Sequence, residues 1–123
     1  MLKNFEEITK ELTDYERDIL YPLVVVGLSR RRFKQNSISG AEICEALNKR
    51  LNGKKITPPR LRKIIQAIRI NGDLYNICSN SKGYYLAGTQ QEIDDNLLSL
   101  QQRIDQQQKI VDALRWQSNQ TEF

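Results

Sequence analysis

Apolar positions in the 123-residue chain fall into blocks with a helical period, separated by short polar punctuation. Leu2, Phe5, Ile8 and Leu12 recur at three- and four-residue steps, the pattern of a short amphipathic helix that ends near Leu12. Thr13 and Glu16 have the spacing of a capping box, so a second helix should start there and carry Ile19, Leu20, Leu23 and Val24 on its apolar side. Pro22 is expected to kink it. Gly27 and the run Arg30-Arg31-Arg32 predict its end near residue 33, where basic side chains suit the negative end of the helix dipole.

Ser39 and Glu42 form another capping box, followed by Ile43, Leu47 and Leu51 at four-residue spacing, which predicts a helix of about three turns. Asn52-Gly53 breaks it. Thr57 is then a candidate N-cap with Pro58 in the first turn, where the missing N–H is harmless. On the helix that follows, Leu61, Ile64, Ile65 and Ile68 occupy i, i+3, i+4 and i+7 and fix the side that faces the core. At 100° per residue, Pro59, Arg62, Lys63 and Gln66 project opposite that stripe, with Arg60 and Arg69 on its borders. Asn71-Gly72 is the expected C-cap.

Segments 74–78 and 83–87 are rich in Tyr, Leu and Ile and flank the polar residues 79–82, the layout of a β-hairpin with Lys82 at its tip. Tyr84 and Tyr85 should alternate, one in the core and one at the surface. Thr89 and Glu92 give a third capping box, and nothing helix-breaking follows until about residue 118, so one helix of about 28 residues is predicted. Within it Leu97, Ile104 and Val111 share one heptad position, and Ile93, Leu100, Gln107 and Leu114 share the other. A two-stranded coil formed by Ile93, Leu97, Leu100, Ile104, Val111 and Leu114, giving a homodimer, is the expectation; packing of this helix on the N-terminal helices is the alternative. The repeat is compatible with parallel and antiparallel pairing. Trp116 is expected to be a packing anchor.

The net charge of +4 hides an uneven distribution. Residues 30–70 contain twelve Lys or Arg against Glu42 and Glu45, while both flanking segments are acidic. Positive charge concentrated in one segment is the electrostatic sign of a polyanion-binding face, with a solvated helix surface as the alternative. There is no histidine, and Cys44 and Cys78 form no C-x-x-C, which removes the commonest general base, Ser-His-Asp and Cys-His arrangements and the usual zinc spacings. Asp94 and Asp95 are neighbours on a helix and point 100° apart, poorly arranged to share a metal. Neither G-x-x-x-x-G-K-[ST] nor G-x-G-x-x-G occurs. The expectation is therefore a non-enzymatic protein without a cofactor, metal or small-molecule ligand. With no membrane-length apolar run or signal pattern, it is expected to be soluble and cytoplasmic, in a bacterial or phage-infected cell.

The order helix, helix, turn, helix, hairpin, with R-L-R-K-I-I-Q-A-I-R-I-N-G at 60–72 and S-K-G-Y-Y-L-A at 81–87, resembles the recognition helix and wing of small bacterial, phage and prophage winged helix-turn-helix proteins. The resemblance spans roughly residues 13–115. It implies a mainly α fold with a small β-hairpin wing (α+β): N-terminal helices at 1–34, a winged-helix DNA-binding core at 35–88, a long C-terminal helix at 89–118 and a tail at 119–123. It also implies binding of double-stranded DNA, as a transcriptional regulator or a genome-binding factor of a phage or mobile element. Arg60 and Arg62 would pair with guanine and Gln66 with adenine, beside Pro59 on the same outer face. Lys63, Arg69, Thr57 and Lys82 would meet phosphate, and Arg31 and Arg32, with Arg30 and Lys34, would extend that surface. Lys54 and Lys55, with Lys49 and Arg50, would touch the backbone from the turn. The alternatives are a protein-interaction adaptor that binds an acidic partner and a nonspecific DNA-binding or replication accessory protein.

Overall fold

The computed structural model describes residues 11–123. The expected first helix through Leu2, Phe5 and Ile8 lies outside the described residues. Thr13 opens the next helix as its sequence requires: its hydroxyl accepts the Glu16 N–H at 3.1 Å and its own N–H donates to the Glu16 carboxylate at 2.8 Å. The chain then makes a π-helical turn, Glu16–Leu20, before continuing as α1, Tyr21–Ser29. Pro22 explains the change of register, because a proline ring collides with the carbonyl four residues back and offers no N–H to it. The Tyr21 N–H reaches back to the carbonyl of Glu16.

Helix α1 ends at Ser29, four residues before the end expected from Arg30-Arg31-Arg32. The following backbone is taken by a different partner. The Leu86 N–H donates to Arg31 O at 2.8 Å, and the Phe33 N–H donates to Leu86 O at 2.8 Å. Phe33 adopts a positive φ of 72° at this junction, and its ring lies where a Cβ at Gly88 would have to be. A 3-10 turn at Lys34–Asn36 leads to Ile38, which exchanges two hydrogen bonds with Tyr84 at 2.8 and 2.9 Å.

Helix α2 spans Gly40–Arg50, with Ser39 accepting the Glu42 N–H as its cap. Helix α3 spans Pro58–Asn71 and closes on Gly72 in the left-handed region at φ 75°. Between them Asn48 clamps the turn in both directions: its Oδ1 accepts the Ile56 N–H at 2.9 Å and its Nδ2 donates to Ile56 O at 3.2 Å. Strands β1, Ile77–Asn80, and β2, Gly83–Leu86, pair antiparallel with Ile77 opposite Leu86 and Asn80 opposite Gly83. The hairpin is thus tighter than the predicted 74–78 and 83–87, because Asn80 Oδ1 accepts the N–H groups of Lys82 and Gly83 and closes a two-residue loop. Helix α4, Gln90–Asn119, starts on the predicted Thr89 cap.

One core joins these elements. Leu61, Ile64, Ile65 and Ile68 of α3 are at most 1% exposed, and Leu20, Val24 and Leu28 of the first helical segment pack on them with Ile43 and Leu47 of α2. The α3 stripe is therefore the centre of the molecule, as its spacing predicts. At the far end of α3, Asn71 donates to the Tyr21 hydroxyl at 2.9 Å and that hydroxyl donates to Asp73, a tie that burial and the carboxylate together hold with Tyr21 pushed up to about 12. Tyr85 is buried, but Tyr84 is also half-buried against the core, since Ile38 crosses its face of the hairpin. Helix α4 docks by its first turns: Glu92 accepts the N–H groups of Gly88 and Lys34, and Asn96 donates to Ser79 O at 2.8 Å. From residue 101 onward every position is exposed, so among the described residues α4 does not lie along the N-terminal helices. Trp116 is 66% exposed and anchors nothing among the described residues. No helix among the described residues is long and apolar enough to cross a membrane.

Candidate nucleic-acid interface

The core stripe of α3 leaves Pro59, Arg62 and Gln66 exposed along its outer face. They recur at three- and four-residue steps, so they share one side of the helix. Arg62 has no acidic partner among the described residues. Thr57 caps the helix by position only, since its hydroxyl accepts no N–H and stays exposed beside Pro58. Pro58 and Pro59 remove the first two amide donors of the helix, including one of the two that a capping side chain usually satisfies.

The two borders of that face are tied down. Arg60, expected to read a base, turns instead toward the start of the first helical segment and grips Glu16 as a fork, Nε to Oε2 at 2.8 Å and Nη2 to Oε1 at 2.5 Å, with a further bond to Glu11 O at 3.0 Å. Glu16 is 7% exposed. The Arg60 guanidinium, helped by the Thr13 amide, holds its carboxyl at about 2, well below the usual value, although burial acts in the opposite direction. Lys63, on the outer face beside Arg60, contacts the Glu11 carboxylate and lowers its pKa, but both side chains are exposed and the pair is weak. Arg69 on the opposite border donates from Nε to Ile77 O at 3.2 Å; partial burial beside β1 lowers its pKa, although the side chain as a whole stays exposed. The residues at the edge of the stripe therefore stitch α3 to its neighbours, and the outward cation is Arg62.

Other cations surround this face without belonging to it. Lys55 and Thr57 line an open groove with Lys49 between α2 and the start of α3, and Lys54 is exposed in the same turn. Lys49 also pairs with Glu45 at 3.1 Å, but both side chains are largely exposed and the pair is weak. Lys82 is exposed at the hairpin tip. Gly83 next to it has φ 135°, and a Cβ there would overlap the Ile38 carbonyl, so the tip end of β2 is seated tightly on Ile38 and Ser39.

Arg31 and Arg32 fall elsewhere. Arg31 joins Arg30 and Arg50 around a groove of about 390 Å³ between α1 and α2, whose apolar lining includes Leu23, Leu28, Ile43 and Leu47. Arg32 lies 5.3 Å from the centre of the Phe33 ring, a cation–π contact at the junction with β2. Charge counting along the sequence merges these arginines with α3, whereas the fold separates them into a second cluster.

Comparison with protein-family models, curated proteins and solved structures finds no match. The geometry thus carries the functional reading. Among the described residues no three His, Cys, Asp or Glu side chains gather as a metal site. Burial raises both Cys44 and Cys78, which disfavours the reactive thiolate form. Two features of the site had no local sequence signal: the acids Glu11 and Glu16 as partners of α3, and Asn48 as the clamp that sets the angle between α2 and α3.

Proposed function

We propose that this chain is a winged helix-turn-helix protein that binds double-stranded DNA with α3 in the major groove, acts as a transcriptional regulator or a phage or mobile-element genome-binding factor, and self-associates through α4. The fold-level support is the order α1, bridged segment, α2, α3, hairpin, in which Ile38 forms an isolated antiparallel bridge to Tyr84 on the outer edge of β2. The observation that carries the reading is the outer face of α3, where exposed Arg62 and Gln66 stand four residues apart while the neighbouring Arg60, Lys63 and Arg69 are held back by intramolecular partners. A guanidinium and an amide in this relation suit guanine O6/N7 and adenine N6/N7, each contact contributing about 1–3 kcal/mol of discrimination. Lys54, Lys55 and the free Thr57 hydroxyl supply phosphate contacts at the start of the helix, and Lys82 supplies one from the wing.

Selection of bound duplexes from a random pool at about 150 mM salt, near the physiological screening length, tests this reading. A defined motif is expected. Arg62→Ala and Gln66→Ala should each relax the preference at one position while leaving weak nonspecific binding in place. Recovery of the same motif by the double variant, or no enrichment by the parent protein, overturns the proposal.

A further inference from the structure

Ile104, Val111 and Leu114 are 59%, 40% and 60% exposed, and Leu97 and Leu100 remain partly bare even where α4 is docked. An apolar stripe of this length on a projecting helix is an interaction surface. Its 3.5-residue repeat calls for another helix with the same repeat. The charged positions beside the stripe identify that helix and its direction.

With Leu97 at heptad position a, the e positions are Asp94, Gln101, Gln108 and Arg115: an acid at the start and a base at the end. In an antiparallel coil e lies against e, whereas in a parallel coil e lies against g. Parallel pairing would set Gln101 beside the partner's Asn96, Gln108 beside the partner's Arg103 and Arg115 beside the partner's Ile110, with no pair of opposite charges. Antiparallel pairing sets each Asp94 beside the partner's Arg115. We infer that α4 pairs with α4 of a second copy in the antiparallel direction, with Leu97 facing the partner's Leu114 and Asp94 beside the partner's Arg115. This deepens, and rests on, the self-association reading above.

The register follows from size as well as charge. Leu100 meets the partner's Val111, and Ile93 meets the partner's Ser118. Ile93 is already half-buried in the groove it shares with Ile77 and Leu97, so a small residue is what the remaining space takes. Sliding by one heptad in one direction would set Arg103 against the partner's Arg103 and Leu114 against the partner's Gln90; sliding in the other would set Arg115 beside the partner's Gln101 and leave Asp94 past the end of the partner helix, without a cation. Among the described residues Asp94 accepts only the Gln90 amide, and it is exposed, which leaves it open to a cation.

Disulfide cross-linking of the full chain tests the direction. Leu97→Cys and Leu114→Cys alter exposed positions, and native Cys44 and Cys78 are buried and do not compete. A mixture of the two variants should oxidise to a mixed dimer, while neither variant alone cross-links, its own two thiols lying about 25 Å apart along the coil. Cross-linking of Leu114→Cys by itself overturns the antiparallel direction but leaves self-association standing. Sedimentation of the parent chain as a monomer at about 100 μM overturns both, and duplex selection by that monomer still reports separately on DNA binding. Charge exchange gives an independent readout: Asp94→Arg alone should weaken the dimer about five- to tenfold, and adding Arg115→Asp should restore it. An Asp94→Arg dimer as tight as the parent overturns the pairing.

Discussion

Replacing Arg60 with alanine is expected to cost the fold stability and leave its DNA preference unchanged. Glu16 is 7% exposed and its two carboxylate oxygens are held by the Arg60 fork at 2.5 and 2.8 Å. A carboxyl lowered from 4.5 to about 2 corresponds to roughly 3 kcal/mol at about 1.4 kcal/mol per tenfold change in affinity for its proton. Solvent screens part of this, because the Arg60 side chain is 36% exposed, and about 2 kcal/mol is a reasonable net value. Urea unfolding at pH 7 should therefore show the Arg60→Ala midpoint about 1 M lower. The pH dependence has a fixed sign. The unfolded chain protonates Glu16 first, so the contribution is complete above pH 4.5 and disappears as pH falls toward 2. The gap between parent and variant should close over that window. Glu16→Gln keeps the capping box with Thr13 and should reproduce the loss of pH dependence. An unchanged midpoint at pH 7, or a gap that persists near pH 2, would refute the argument.

Asn48→Ala removes both bonds to Ile56 from a partly buried turn and should destabilise the fold by about 1–2 kcal/mol, with the Ile56 amide exchanging about tenfold faster. Two glycines should respond in opposite directions. Gly83→Ala demands φ 135° of a side-chain residue and overlaps Ile38 O, so a loss of about 2 kcal/mol or more is expected by thermal or urea unfolding. Gly27→Ala, in the last turn of α1 with nothing within 4 Å of its new Cβ, should stabilise the protein by about 0.5–1 kcal/mol.

Local chemistry was readable wherever it acts within a few residues. The caps at Thr13, Ser39 and Thr89, the left-handed Gly72 and the α3 stripe were all visible because each is a three- to four-residue pattern, and each is present. What escaped detection acts across the chain. Arg60 and Lys63 bond to residues 44 and 52 positions away, and a helical wheel gives their angle but not their neighbours. The Ile38 bridge to Tyr84 comes from a segment with one apolar residue and no alternation, so it gives no strand signal. The end of α1 was misjudged for the same reason: the carbonyl of Arg31 is claimed by β2, and that competition outweighs the gain from basic side chains at a helix C-terminus.

The long-range pairs also change what the basic centre can do in salt. Read as a sequence, twelve cations between residues 30 and 70 suggest a large set of phosphate contacts. In the fold, Arg60 is committed to buried Glu16, Lys63 pairs with Glu11, Arg69 Nε donates to a carbonyl, and Arg30, Arg31 and Arg50 line a separate groove. Those left around the α3 face are Arg62, Lys54, Lys55 and, from the hairpin tip, Lys82. If Arg62 is spent on a base and Lys49 joins from the α2 groove, about four phosphates are neutralised per protomer. At a slope of about 0.9 per contact, affinity should then fall roughly 150-fold per bound protomer between 50 and 200 mM salt, whereas engagement of all twelve cations would give a loss of about three-millionfold. A titration series of binding to a single half-site measures this slope directly. A slope near eleven would mean that DNA pulls Arg60 and Lys63 away from Glu16 and Glu11. In that case Glu16→Gln, which removes the cost of breaking the Arg60 pair, should tighten binding without changing the slope; if the parent keeps the pair in the complex, the Arg60 released in the variant should instead raise the slope.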